Sequence, residues 1–167
     1  DYNSCIDLYI LNEFSRNIDG YRLSTFMYKD RNKNGGKLKM GPIWDYNLAF
    51  GNAYYCDGWN TQGWQGDGNC ADLGSSPFWF ERLLDDSIYL NNLNCRWNLL
   101  RKNSLNTDTI FSFIDSMVIC LNNSQTRNFQ RWPILGSTIW PNYYVGGNYQ
   151  DEINFLKNWI LDRIIWI

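Results

Sequence analysis

Histidine is absent from the 167 residues, and that gap excludes more chemistry than any motif present suggests. A zinc site with imidazole ligands, a Ser-His-Asp triad and a Cys-His dyad all need the ring that binds metal or shuttles protons near neutral pH. Catalysis is left with carboxylates, amines, hydroxyls, thiols and metals held by oxygen. A surplus of positive charge is missing too. Fifteen Lys and Arg face 17 Asp and Glu, a formal net charge of −2, so composition offers no nucleic-acid surface. No apolar run reaches the roughly 18 residues of a membrane span, and the opening DYNSCIDLYI lacks the basic stretch of a signal peptide. The expectation is a soluble chain, or one whose targeting segment has been removed. Five cysteines, at 5, 56, 70, 95 and 120, form neither a CxxC metal pattern nor a fully paired framework.

What is present is apolar and aromatic. With 44% hydrophobic and 19% charged residues, residues 1–167 are expected to fold as a single domain, or a piece of a larger one, around a sizeable core. Nine Trp and eleven Tyr bring large buried areas with polar tips that want partners. The segment SCIDLYILNEFSRN predicts a buried helix capped by Ser4. Residues 21–28 and 37–44 read as two strands of a hairpin with its tip near Asn34–Gly36. Residues 51–76, rich in Gly and aromatics, read as a long irregular loop. Cys56 and Cys70 bracket its centre. Joined, they would close a loop of about 15 residues worth about 3 kcal/mol; reduced, they are two free thiols. Helices are expected over 77–86, over 88–103, from Thr107 or Asp108 through Leu121, over SQTRNFQRW up to Pro133, and from about Asp151 to the last residue. The fold class is α+β, mainly helical, with one hairpin near the N-terminus.

The chemistry-bearing pattern lies around the hairpin. Asp19, in NIDG, precedes the first strand, and Asp45, in IWDYN, follows the second. A hairpin returns its second strand to where the first began, so the two carboxylates are expected at one open end. Like charges so placed repel unless a proton or a cation intervenes, and a divalent metal answers this. In protein kinases an aspartate that orients the acceptor hydroxyl is followed five residues later by a metal-binding Asn, and further on by a metal-binding Asp. Here Asp19 is followed five residues later by Ser24, and then by Asp45. The order of parts agrees and one ligand differs. Taken singly, Asp19 is a turn-former before Gly20 and Asp45 a cap of the next turn.

The segments NEFSRNIDGYRLSTFMYKD, GGKLKMGPIWDYNLAFGN, RNFQRWP and EINFLKNWILDRIIW together resemble the CotH kinase-like family, named for a spore-coat protein kinase with an atypical kinase fold. GPIWDYNLAFGN is the most specific of them. The resemblance implies the C-terminal lobe of a kinase-like fold that transfers the ATP γ-phosphate to Ser or Thr of a protein substrate, with Mg2+ or Mn2+ as the cation. It implies Asp19 as the catalytic aspartate and Asp45 as the metal ligand. Ser24 is a further metal candidate, since a hydroxyl serves magnesium in phosphate-binding loops. Asn17 and Asn47 are candidates to orient the two aspartates, and Arg16 to meet a phosphate. No glycine-rich phosphate loop of the GxGxxG or Walker type occurs. The chain is therefore expected to be a C-lobe fragment, inactive alone, of a protein with an N-terminal lobe. A bacterial, exported or cell-surface setting is implied as well, consistent with a Cys56–Cys70 bridge.

A second class of function stands beside this one. Trp59 and Trp64, with Trp79, Tyr54 and Tyr55, would suit an exposed platform for a glycan or a peptide, although core packing is the commoner use of such residues. On that view the chain is a catalytically degenerate binding or structural module on the same fold.

Overall fold

The structure is a computed structural model that describes residues 1–67, 70 and 76–167. Its organising element is helix α1, Tyr2–Ser15. The N-cap is Asp1, whose carboxylate accepts from the Ser4 amide at 3.2 Å. Ser4, expected as the cap, is already inside the helix. Its hydroxyl donates to the Asp1 carbonyl at 3.0 Å and accepts from the Met40 amide at 3.1 Å, tying the helix start to the hairpin. Helix α1 ends at Arg16, which takes the left-handed conformation at φ 47° and ψ 48°.

The hairpin pairs β1, Met27–Lys29, with β2, Leu38–Met40, antiparallel in the register Met27 with Met40 and Lys29 with Leu38. Both strands are shorter than the sequence suggests, for a local reason. The amides of Arg22, Leu23 and Ser24 all donate to the Asp19 carbonyl, at 3.2, 3.1 and 3.0 Å. A turn has thus taken the donors that a longer β1 would have offered a partner strand. On the other side Asp45 sits at φ 61°, which ends extended backbone. The tip carries a short 3-10 turn, Asn32–Asn34, and Gly35 at φ 92°.

The described part of the 51–76 stretch is irregular apart from one 3-10 turn, Gln65–Asp67. It is nonetheless well tethered. The Phe50 amide donates to the Ser15 carbonyl at 2.7 Å, and Ala53 bridges antiparallel to Asn142. The rest of that expected loop, 68–69 and 71–75, lies outside the described residues.

Four helices follow: α2, Phe78–Leu84; α3, Ser87–Lys102; α4, Thr107–Arg131; and α5, Tyr149–Trp166. Asp86, Asn106 and Asn148 cap the last three through side-chain acceptors, each satisfying an otherwise orphaned amide. The two expected helices between residues 107 and 132 are one. No Gly or Pro interrupts that stretch, and its polar residues are good enough helix formers to carry it through. Among the described residues no helix is long and apolar enough to cross a membrane.

Helix α1 is buried on nearly every side. Ile6 and Ile10 pack with Tyr89 of α3, Leu8 with Tyr21 and Phe80, and Phe14 with Trp159 and Ile160 of α5. Its polar residues Asn12, Glu13 and Ser15 are buried as well. Glu13 is satisfied by the Tyr21 hydroxyl at 2.6 Å and by the amides of Gln65 and Gly66 at 2.7 and 2.8 Å. Arg163 of α5, 0% exposed, lies over Trp166 and Trp64. It donates to the carbonyls of Glu13 at 2.6 Å, Thr61 at 2.8 Å and Gly63 at 2.8 Å. The Arg163 and Glu13 charges themselves stand 3.8 Å apart. Burial pushes the Glu13 carboxyl up and brings Arg163 down to about 10, so desolvation outweighs the attraction between them. Directed hydrogen bonds, rather than the ion pair, hold α1, α5 and residues 61–66 together.

Candidate functional site

Asp19 owes its place to the end of α1. Once Arg16 turns left-handed, the Asn17 amide still reaches the Asn12 carbonyl at 3.2 Å, and the Asn17 side chain accepts from the Asp19 amide at 3.2 Å. The Asp19 carbonyl then gathers the three amides that shorten β1. Its backbone is fixed from both directions while its carboxylate stays free. Oδ1 is buried and has no hydrogen-bond partner among the described residues. A buried acceptor without a donor costs about 1–3 kcal/mol, and more for a charged group, so this oxygen is left with acceptor capacity that the described residues do not use.

Asp45 arrives from the far side of the hairpin, exposed and left-handed at φ 61°. Non-glycine residues in that conformation cluster at functional sites, and Asp tolerates it better than most. The two carboxylates are electrostatically coupled. Burial raises the Asp19 carboxyl above its ordinary value, and the Asp45 charge raises it further. Among the described residues no group of three His, Cys, Asp or Glu side chains gathers to hold an ion. Any cation here would be held by two carboxylates, the remainder of its shell coming from water and substrate oxygens. Magnesium is commonly bound in that way in phosphate-transferring sites.

The other candidates divide. Ser24 is buried, and its amide belongs to the Asp19 turn. Asn17, 0% exposed, does orient the Asp19 backbone, while its own Nδ2 has no partner among the described residues. Asn47 is exposed and its carbonyl accepts from the Asn52 side chain at 2.8 Å, a turn-building contact. Arg16 is not available to a phosphate. It is 1% exposed, and its Nη1 donates to the carbonyls of Gln62 and Gly63. The left-handed backbone at position 16 aims the side chain at the 61–66 segment, an orientation that sequence spacing does not reveal.

The expected aromatic platform also separates. Trp64 packs edge-on to Trp166 at 4.8 Å and serves the Arg163 network. Trp79 packs among its α2 neighbours Phe78 and Phe80. Trp59 stacks on Tyr143 at 5.0 Å, and both line an open cleft of about 500 Å3 with Asn60, Asn158 and Asp162. Tyr55 stacks on Trp140 at 6.1 Å and feels the Asp19 charge, which together with burial raises its hydroxyl. Tyr55 was among the expected platform residues, but its partner Trp140, and Tyr143 beside Trp59, were hidden from sequence reasoning because the 51–60 and 140–144 segments meet only in three dimensions. Their signal in the sequence was aromatic density in two loops otherwise poor in apolar residues.

Asp19, half-buried with one carboxylate oxygen unpartnered among the described residues, thus lies within the field of the exposed Asp45. The family model for CotH kinase protein matches residues 1–167. The chain belongs to the CotH kinase family. Comparison with curated proteins and with solved structures finds no match. Membership in the CotH kinase family makes this a kinase-like domain, and its mainly helical α+β architecture with one hairpin agrees with the class expected from the sequence.

Proposed function

We propose that this CotH kinase family chain forms the part of a protein kinase that binds metal and orients the acceptor, and that the reaction moves the γ-phosphoryl group of ATP to a Ser or Thr hydroxyl of a protein. The observation that carries the reading is the unpartnered, buried Oδ1 of Asp19 within the field of Asp45. Asp19 accepts the acceptor hydroxyl's proton as the new O–P bond forms and the bond between the β,γ-bridging oxygen and the γ-phosphorus breaks, leaving ADP. A carboxyl raised above its ordinary value is a better base near neutrality than an unperturbed one. Asp45 would hold Mg2+ or Mn2+, with Ser24, five residues after Asp19, as a further candidate ligand; such a cation would supply neutralisation of charge on the phosphate oxygens. An N-terminal lobe outside this chain supplies the grip on the nucleotide, since the sequence contains no glycine-rich phosphate loop. An exported or cell-surface bacterial setting is part of the proposal, supported by the Cys56–Cys70 pair, whose Cα atoms lie 4.6 Å apart in a disulfide.

The test is phosphate transfer from γ-labelled ATP by the parent protein in Mn2+ or Mg2+. Asp19→Asn is expected to slow transfer by on the order of a hundredfold or more, as for loss of a general base, and Asp45→Asn to abolish it. Transfer at the parental rate in Asp45→Asn would remove that residue from the mechanism.

A second reading rests on the Trp59–Tyr143 cleft. Its wall of stacked aromatics faces the Asn158 and Asp162 side of α5, which pairs a flat apolar surface with hydrogen-bonding groups as a glycan requires. Glycan binding lost in Trp59→Ala, together with no nucleotide binding by the parent protein, would favour a degenerate binding module.

A further inference from the structure

One buried side chain touches both segments that carry the carboxylates. Asn12, 0% exposed in the last turn of α1, donates from Nδ2 to the Gly20 carbonyl at 2.6 Å and accepts at Oδ1 from the Tyr46 hydroxyl at 2.6 Å. Gly20 is the residue after Asp19, and Tyr46 is the residue after Asp45. The two ends of a single amide therefore hold the two turns at fixed separation, from a helix that is itself locked into the core. The fit is tight on the Asp19 side, where a Cβ on Gly20 would stand 2.5 Å from Asn12 Oδ1. Tyr46 is half-buried, its hydroxyl turned inward to Asn12.

We infer that Asn12 is a positioning residue that couples the Asp19 and Asp45 turns through Gly20 and Tyr46 and so sets the separation of the two carboxylates. The inference deepens the metal-site reading and rests on it for its functional meaning. It adds a residue that touches neither cation nor substrate. A long-chain or apolar residue at position 12 would fill the space and lose the coupling, because only a side chain with a donor and an acceptor on one short planar group serves both partners. Groups that hydrogen-bond a metal's ligands directly alter its affinity by about 10–100-fold when removed; Asn12 acts one residue further out, through Gly20 and Tyr46, so the lower end of that range is expected.

The experiment uses Tyr46→Phe, which deletes one hydroxyl and leaves the ring, with Asn12→Asp as the second variant because it keeps the acceptor and loses the donor. Amide hydrogen exchange is read at Arg22, Leu23 and Ser24, whose donors end on the Asp19 carbonyl. Mn2+ alone is titrated by water-proton relaxation. In Tyr46→Phe the three amides of the distant turn are expected to exchange roughly fivefold faster, as for the loss of one hydrogen bond, while α4 is unchanged. Mn2+ binding is expected to weaken about tenfold. Asp45→Asn separates the two ideas. If that variant binds Mn2+ as the parent does, the metal reading fails and exchange alone decides the coupling. If Mn2+ binding depends on Asp45 but Tyr46→Phe leaves either the affinity or the exchange at residues 22–24 unchanged, the positioning role is overturned and the metal site stands.

Discussion

Arg163 offers the severest test of how this fold is held. Its guanidinium is 0% exposed and ends on three carbonyls, those of Glu13, Thr61 and Gly63, from two separate parts of the chain. Replacing it with Met removes the charge and keeps most of the packing against Trp166 and Trp64. It also takes the guanidinium from the Glu13 and Thr61 carbonyls, leaves the Gly63 carbonyl to Arg16 alone and removes the cation beside the Glu13 carboxylate. Breaking a buried pair by removing one partner costs about 3–5 kcal/mol, against a total of about 5–15 kcal/mol for an ordinary domain. Arg163→Met should therefore lower the urea midpoint by a large fraction without changing the slope. Arg163→Lys restores the charge but not the planar fork, and should recover less than half of the loss. Because Glu13 shares the network, the double variant Glu13→Gln/Arg163→Met should lose less than the sum of the single changes, by about 0.5–3 kcal/mol. A loss under about 1 kcal/mol for Arg163→Met would refute the claim that this network fastens α5 and the 61–66 segment to α1; strict additivity with Glu13→Gln would refute only a contribution from the ion pair.

Three further outcomes follow from the same geometry. Asp45→Asn should lower the midpoint of the Asp19 carboxyl in a carbon NMR titration while leaving it above the ordinary value, because burial is the larger cause and Asp45 the smaller; an unmoved midpoint would mean the two turns do not converge. Glu13, raised by burial, binds its proton more tightly folded than unfolded, so its contribution to stability falls as pH rises from the ordinary value of 4.5 through the raised one; the difference between the parent and Glu13→Gln in urea midpoints across that range should show this slope, and a difference growing in the parent's favour would contradict it. Gly20→Ala should weaken both Mn2+ binding and the thermal midpoint, since its Cβ meets an Asn12 amide held at both ends and unable to step aside; an unaltered Mn2+ affinity would contradict that.

Much of this was legible from local pattern. The apolar stripes of α1 and α5 and the tip of the hairpin are decided by residues within one or two turns of one another, whereas the helix starts were displaced: Asp1 caps α1 instead of Ser4, and Asn106 caps α4 just before the expected Thr107 or Asp108. Legible too was the suspicion attached to Asp19 and Asp45, which needed only the return path of a hairpin. What escaped was decided at a distance. The length of β1 was set by a carbonyl at Asp19 that competes for its amides. The fate of Arg16 was set by a left-handed backbone that no spacing announces. Glu13 and Arg163 are 150 residues apart, and each alone reads as a solvated charge. The available clue was that Asn12 and Glu13 fall among the apolar residues Ile10, Leu11 and Phe14 of the same helix. A polar residue where burial is unavoidable is a residue with an appointment elsewhere in the chain.

That the Asn12 amide belongs at once to the packed interior and to the rim of the carboxylate pair has an evolutionary corollary. A relative lacking one or both aspartates would still use that amide, and the small residue beside it, to hold the two turns against the helix. Their survival in a relative would testify to architecture alone, whereas the acidic oxygens, which nothing in the interior requires, are the positions where a silent copy and a working one would part.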